Sequence, residues 1–212
     1  MLLNRPKNID ITRMVAEEYI RVNYAIEGNL AFETVNGTCI VNCDGEVKVT
    51  NEKIDKLADG FVWVEVKGSF YCSHCRNLTS LEGAPKKVGE GFSCFGCHNL
   101  TSLKGSPERV GEFFSCAGCD NLISLEGAPK EVGGEFYCFG CDNLISLKGA
   151  PEKVGKDFCC NYCNSLTSLK GAPKEIGRDL YCSYCIKLKS SEGAPEKVGG
   201  KLICDGCLIS NP

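Results

Sequence analysis

The sequence predicts an α+β solenoid: a helix and a hairpin, then seven near-copies of one 22-residue unit that carries a parallel β-sheet. Three observations predict it. A cysteine recurs every 22 residues, at Cys72, Cys94, Cys116, Cys138, Cys160, Cys182 and Cys204, and each opens a Cys-x-x-Cys. The residues between these pairs repeat almost verbatim, as in 78–89 (LTSLEGAPKKVG) and 144–155 (LISLKGAPEKVG). Upstream, helical spacing gives way to Asn-Gly and Asp-Gly turn signals. A fixed short period means one supersecondary unit copied and stacked, each copy burying its apolar side against its neighbours. Such a chain offers a long surface rather than a pocket.

Residues 1–9 carry no pattern and read as a loose arm. From Asp10, a helix N-cap, Ile11, Met14, Val15, Tyr19 and Val22 fall at roughly helical spacing and predict one amphipathic helix to about Tyr24. Short β-prone runs follow, punctuated by Asn36-Gly37 and Asp44-Gly45, both hairpin signals. Val47, Val49, Glu52, Ile54 and Leu57 match a divergent first turn, with Glu52 in the place of an asparagine. Residues 1–46 are thus expected to form a cap and 47–212 the solenoid, its divergent turn at 47–69 and its regular repeats at 70–207. The cap covers the first turn's apolar edge and blocks strand addition.

Each regular turn reads F-x-C-x-x-C-x-x-L-x-x-L-x-G-A-P-x-x-V-G. Phe92 and Cys94, two apart, share one face of a short strand. Cys97, Leu100 and Leu103 then step inward at spacings of three as the chain turns. Gly105 supplies a turn that a side chain would hinder, and Pro107 stiffens the return. Val110 points in, and Gly111 releases the chain toward Phe114. Strands of successive turns lie parallel about 4.8 Å apart, so the copies make a sheet on the order of 30 Å long.

The L-x-L-x-x-(N/C)-x-x-L spacing resembles that of leucine-rich repeats with cysteine at the asparagine-ladder position. The order C-x-x-L…P-x-x-V-x-x…F-x-x-C is similar to the bacterial surface-antigen type. The run L-T-S-L-E-G-A-P-K-x-V-G resembles the repeat of small leucine-rich-repeat proteins of bacteriophages and prophages. The match covers roughly Val47 to Cys207; the first cysteine of each pair and the extra residue before the leucine depart from it. The resemblance implies a leucine-rich-repeat-like array and, for function, a binding module. It implies a phage-encoded protein acting inside a bacterial host on a defence or regulatory protein, CRISPR effectors included.

Net charge is −3 with acidic and basic residues interleaved, which is no electrostatic footprint for nucleic acid or an anionic membrane. The chain carries 17 cysteines, an odd number, with no export signal and no transmembrane run, which predicts reduced thiols in a cytoplasm. Cys72, Cys75, Cys94 and Cys97 form C-x2-C-x18-C-x2-C, a zinc-like spacing. Yet Val49 fills the same template position, and seven pairs cannot be grouped into four-thiolate sites without one left over. The expectation is a ladder of packing cysteines with no cofactor and no metal. The alternative is a thiol-rich metal-binding or redox-buffering protein. Disulfides between stacked cysteines are allowed by distance and opposed by compartment. Cys159, beside Cys160, is the thiol expected to face outward.

After each proline, Lys86, Glu108, Lys130, Glu152, Lys174 and Glu196 alternate in sign, which predicts an exposed ladder of ion pairs along one ridge. The strand face is different. Tyr71, Phe95, Phe113, Tyr137, Phe139 and Tyr181 point outward, with Tyr162 and Tyr184 just past the strand and Glu135, Asp157 and Asp179 in the preceding column. Clustered surface aromatics are typical of protein-binding hot spots, so these eleven residues are the expected partner-binding surface. Single-stranded nucleic acid would also stack on aromatics, but no positive groove accompanies them. Two histidines, His74 and His98, sit at nearly equivalent places in neighbouring turns and are expected to stack on the surface. No nucleophile or acid partner repeats with them and no phosphate-cradling loop is present, so the chain reads as non-enzymatic. Near the C-terminal end Ser191 replaces a leucine, and no G-A-P return follows Cys207. Leu202 and Cys204 should therefore leave an open edge, with a homodimer through that end or a docked partner as the consequence.

Overall fold

A computed structural model describes residues 11–208. The arm at 1–9 and the N-cap Asp10 lie outside the described residues.

The chain begins with α1 (Ile11–Asn23) and continues through β1 (Tyr24–Glu27), β2 (Leu30–Val35), β3 (Thr38–Cys43), β4 (Glu46–Val49) and β5 (Phe61–Val66). From Phe70 each turn gives one two-residue strand to a first sheet and, except in the last described turn, one to a second. Phe70–Tyr71, Phe92–Ser93, Phe114–Ser115, Phe136–Tyr137, Phe158–Cys159, Leu180–Tyr181 and Leu202–Ile203 extend the first. Lys87–Val88, Arg109–Val110, Glu131–Val132, Lys153–Val154, Glu175–Ile176 and Lys197–Val198 extend the second. Neighbouring turns pair parallel and in register, Phe92 beside Phe114 and Val110 beside Val132. The molecule is a β-solenoid with two nine-stranded sheets and, among the described residues, a single helix. The second sheet is an addition to the one the sequence predicts. It forms where the chain returns after the proline, in strands too short to show alternation.

The inward positions read from the repeat are the core: Phe114, Cys116, Cys119, Leu122, Leu125 and Val132 of one turn are all buried, as are their counterparts in the neighbouring turns. Identical register makes identical side chains meet. Phe92, Phe114, Phe136 and Phe158 stack ring on ring with centroids 5.2–5.4 Å apart. The turn at Gly105 has φ 90°, and a Cβ there would lie 2.5 Å from the backbone of Glu82, so only glycine lets one turn settle on the next.

Both sheets end in antiparallel strands on the N-terminal side: β1 pairs with β4, and β2 pairs with β3. Asn36 and Gly37, at φ 50° and 77°, make the tight turn of the β2–β3 hairpin, as their sequence predicts. Asp44-Gly45 is not a hairpin turn. It is the corner by which the chain passes from β3 in the second sheet to β4 in the first. Asp44 Oδ2 accepts the Asn29 side-chain amide at 2.9 Å, and Gly45 crosses so close to Glu27 that a Cβ would meet its carbonyl oxygen at 1.8 Å.

The helix is rotated away from expectation. Ala16, Ile20 and Asn23 are buried, while Ile11, Met14, Val15 and Val22 lie exposed. Its C-terminal tether explains the rotation. Asn23 donates to the Tyr19 carbonyl at 2.9 Å and accepts from the Asn51 side chain at 2.8 Å, while its own carbonyl takes the Thr50 N–H at 2.8 Å. Tyr19 sits at the boundary, its hydroxyl on the Lys56 carbonyl, and burial pushes its phenol up to about 12.

Candidate interaction surface

Residues one turn apart stand in columns on the outer side of the first sheet. The first column holds Gly91, Phe113, Glu135, Asp157 and Asp179; the second Tyr71, Ser93, Ser115, Tyr137, Cys159 and Tyr181; the third Phe95, Ala117, Phe139, Asn161 and Ser183. The fourth, just past the strand, holds His74, Gly96, Gly118, Gly140, Tyr162, Tyr184 and Gly206. The predicted aromatics are therefore on one face, but they behave in two ways.

Five of them cover one another. Phe113 lies across Gly91, where a Cβ would come within 2.1 Å of its ring, and approaches Tyr71 at 6.4 Å. Phe95 and Phe139 lean together at 6.5 Å from either side of the buried Ala117, and Tyr137 meets Phe139 edge-on at 6.2 Å. Gly91 and Ala117 are the seats on which a neighbour's ring lies. Phe95 and Phe139, 38% and 37% exposed, are the most open of the five; Tyr71, Phe113 and Tyr137 are partly buried.

The acidic column is engaged with the backbone and with nearby cations. Asp157 Oδ1 accepts the Asp179 N–H at 2.9 Å, and Asp179 Oδ1 accepts the Lys201 N–H at 2.7 Å. That backbone bond holds the Asp179 carboxyl below the usual range, and Tyr181 donates to the same group at 3.1 Å. Arg178 stands 3.7 Å from Asp157, and Lys156 stands 3.3 Å from Glu135. Asn161 likewise takes the Ser183 N–H at 2.7 Å. A polar side chain here completes the backbone of the turn that follows it.

Tyr162 and Tyr184 differ from the rest. Their rings stack at 5.0 Å and 7°, and they are 52% and 50% exposed. Both have φ 59°, the left-handed conformation that Gly96, Gly118, Gly140 and Gly206 adopt freely in other turns. A non-glycine residue pays roughly 1–2 kcal/mol to stay there. His74 is the third such residue, at φ 60°. The histidines do not stack on each other as predicted: His74 meets Phe95 edge-on at 5.2 Å, and His98 pairs with Asp120 at 2.8 Å.

The charged ridge is broader than one column. Of the post-proline residues only Glu152 and Lys174 close to ion-pair distance, 3.7 Å, among the described residues. The adjoining columns carry Glu82–Lys104, Glu126–Lys148 and Lys170–Glu192 on one side and Arg109–Glu131 and Lys153–Glu175 on the other.

The structure also explains why the cysteines come in pairs, which sequence reasoning missed. From Cys97 on, the second thiol of each pair donates to the carbonyl of the first cysteine one turn back. Cys97 donates to Cys72 at 3.0 Å, Cys119 to Cys94 at 3.3 Å, Cys141 to Cys116 at 3.2 Å, and so on to Cys207 and Cys182 at 2.8 Å. The signal was present as a separation of 25, one period plus the three residues of the motif. Burial pushes the first-position thiols of Cys72, Cys94 and Cys138 well up. Cys159 is only partly exposed, with its thiol raised by burial, and it shares that exposure with Cys204 and Cys207.

No protein-family model, curated protein or solved structure matches the chain. Among the described residues no helix is long and apolar enough to cross a membrane.

Proposed function

We propose that the protein is a non-enzymatic interaction module that presents the outer face of its first sheet, above all Tyr162 and Tyr184, to a protein partner. One observation carries this reading. Two large aromatic rings stand half exposed, stacked on each other, at a strained backbone position where four other turns use glycine. Strain kept at a surface is a mark of function rather than of folding, and tyrosine in a rigid setting is a preferred anchor of protein interfaces. The resemblance to leucine-rich-repeat proteins of phages makes a bacterial defence protein, CRISPR effectors among them, the first partner class to test, in the host cytoplasm. A second copy meeting the last described turn, where Leu202, Ile203 and Cys204 are partly exposed, is a further partner. Light scattering across a concentration series tests it, and a strict monomer sinks it.

The binding face is tested on a partner recovered from the bacterial host. Replacing Tyr162 and Tyr184 together by glycine removes both rings and relaxes both backbones, so folding is preserved. Affinity should fall by at least about 30-fold, the effect of losing about 2 kcal/mol of hot-spot contact. Lys130→Glu on the charged ridge should change it little. The reverse pattern would place the interface on the ridge.

A further inference from the structure

We propose that the open channel beside Tyr162 seats an arginine side chain of the partner, its guanidinium plate lying on the free face of Tyr162 and donating at the rim to Asp142. This contact presupposes the protein-binding role proposed above and gives it a chemistry.

The channel follows from how the fourth column leans. His74 tips over Gly96, where a Cβ would lie 2.6 Å from its ring, and Tyr184 tips over Gly206 in the same direction. Tyr162 rests on Tyr184. Its other face therefore looks back along the column toward Gly140 and Gly118. Above Gly140 a Cβ would find nothing nearer than 4.0 Å, and above Gly118 nothing nearer than 3.7 Å. Two successive glycines in this column, Gly118 and Gly140, leave a slot about 10 Å long, closed at one end by a tyrosine face. The half-open edges of Phe95 and Phe139 border it in the third column.

Charge decides what fits. The four segments that build this part of the surface are 95–102 (FGCHNLTS), 117–124 (AGCDNLIS), 139–146 (FGCDNLIS) and 161–168 (NYCNSLTS). They contain no lysine or arginine and two aspartates, Asp120 and Asp142. Asp120 is shared with His98, and Asp142, an exposed residue two positions past Gly140, takes the Asn164 amide on Oδ1 at 2.8 Å, which leaves Oδ2 for another donor. A neutral ring in the slot would stack but would strip water from a carboxylate without replacing its hydrogen bonds. A lysine ammonium would pair with the carboxylate but has no plate to lay on the tyrosine. A guanidinium does both, since it stacks on aromatic faces and keeps its N–H edge free for a carboxylate.

The test uses the full chain, isotope-labelled, titrated with blocked tripeptides Ac-Gly-Xaa-Gly-amide in which Xaa is arginine, citrulline, lysine or phenylalanine. The arginine peptide should move the amide resonances of Gly118, Gly140 and Tyr162. Citrulline, of the same shape without the charge, should bind about fivefold more weakly or worse, as should lysine. Asp142→Asn should weaken the arginine peptide by a similar factor, and Tyr162→Gly should abolish its effect. Equal binding of citrulline, tighter binding of phenylalanine, arginine binding that survives Tyr162→Gly, or no shift with any peptide each overturns the proposal. With the partner in hand the two levels separate. If the double glycine variant loses affinity and Asp142→Asn does not, the interaction face stands and the arginine seat falls; if neither loses affinity, both fall.

Discussion

Where the cap meets the first turns, Tyr19, Tyr24, Phe61, Trp63 and Phe70 meet tilted or edge-on, at interplanar angles from 46° to 76°. In the array, Phe70, Phe92, Phe114, Phe136 and Phe158 lie nearly parallel, at 5° to 24°. Both arrangements are favourable for aromatic rings. The difference lies in what chooses between them. A cap is built once, so each ring can take the angle its own neighbours allow. A repeat is built by translation, so whatever angle one ring takes the next must share, and parallel stacking at the turn spacing is the solution that can be copied. The same logic governs the thiols, whose S–H groups reach the previous turn along the array.

The largest effect expected from this contrast comes from alkali. The thiols of Cys72, Cys94 and Cys138 titrate in the folded chain far above the about 8.5 of an exposed cysteine. The folded array therefore holds its protons where the unfolded chain has begun to lose them. Their contribution is fully present below about pH 8.5 and is lost as pH rises toward the native values, by about 1.4 kcal/mol per pH unit for each thiol, or roughly 4 for the three. The array should melt first. Trp63, the sole tryptophan, lies in the divergent first turn against the cap, away from the middle repeats, so its fluorescence should change later than the far-UV circular dichroism in a titration upward from pH 8. Coincident transitions would show cap and array to be one cooperative unit.

A smaller effect, about 3–5 kcal/mol, is expected for Phe114→Ala, which removes a fully buried ring between two stacked neighbours. Denaturant unfolding measures it. A cost below about 2 kcal/mol would mean that the turns close over the gap and that stacking specifies little. The smallest effect is for metal removal. Because the second thiol of each pair already donates to a carbonyl, a strong chelator should leave circular dichroism and melting unchanged. Loss of structure would replace the ladder with a metal-organised core.

What was legible in the sequence is what translation repeats. The period places phenylalanine, cysteine, leucine and valine inside, and every such position of the middle turns is buried. Asn36-Gly37 was legible because two left-handed residues in a row fit few structures other than a tight hairpin. The rest depended on contacts with no local trace. The rotation of α1 is set by Asn23 meeting Asn51, 28 residues away. The glycine and alanine among the surface aromatics look like gaps until the lean of a ring is known. In the sequence Tyr162 and Tyr184 are two of eight outward aromatics, and only their positive φ and their stacking set them apart.

In-register stacking also turns the number of turns into a length. Each 22-residue unit adds one rung, about 4.8 Å, between the exposed stripe of α1 at one end and the Tyr162–Tyr184 pair at the other. Duplicating a middle unit such as 115–136 would change no contact within a turn and yet move these two landmarks apart by a fixed step. The array is a ruler graduated in turns, and a partner that touched both marks would be reading its length.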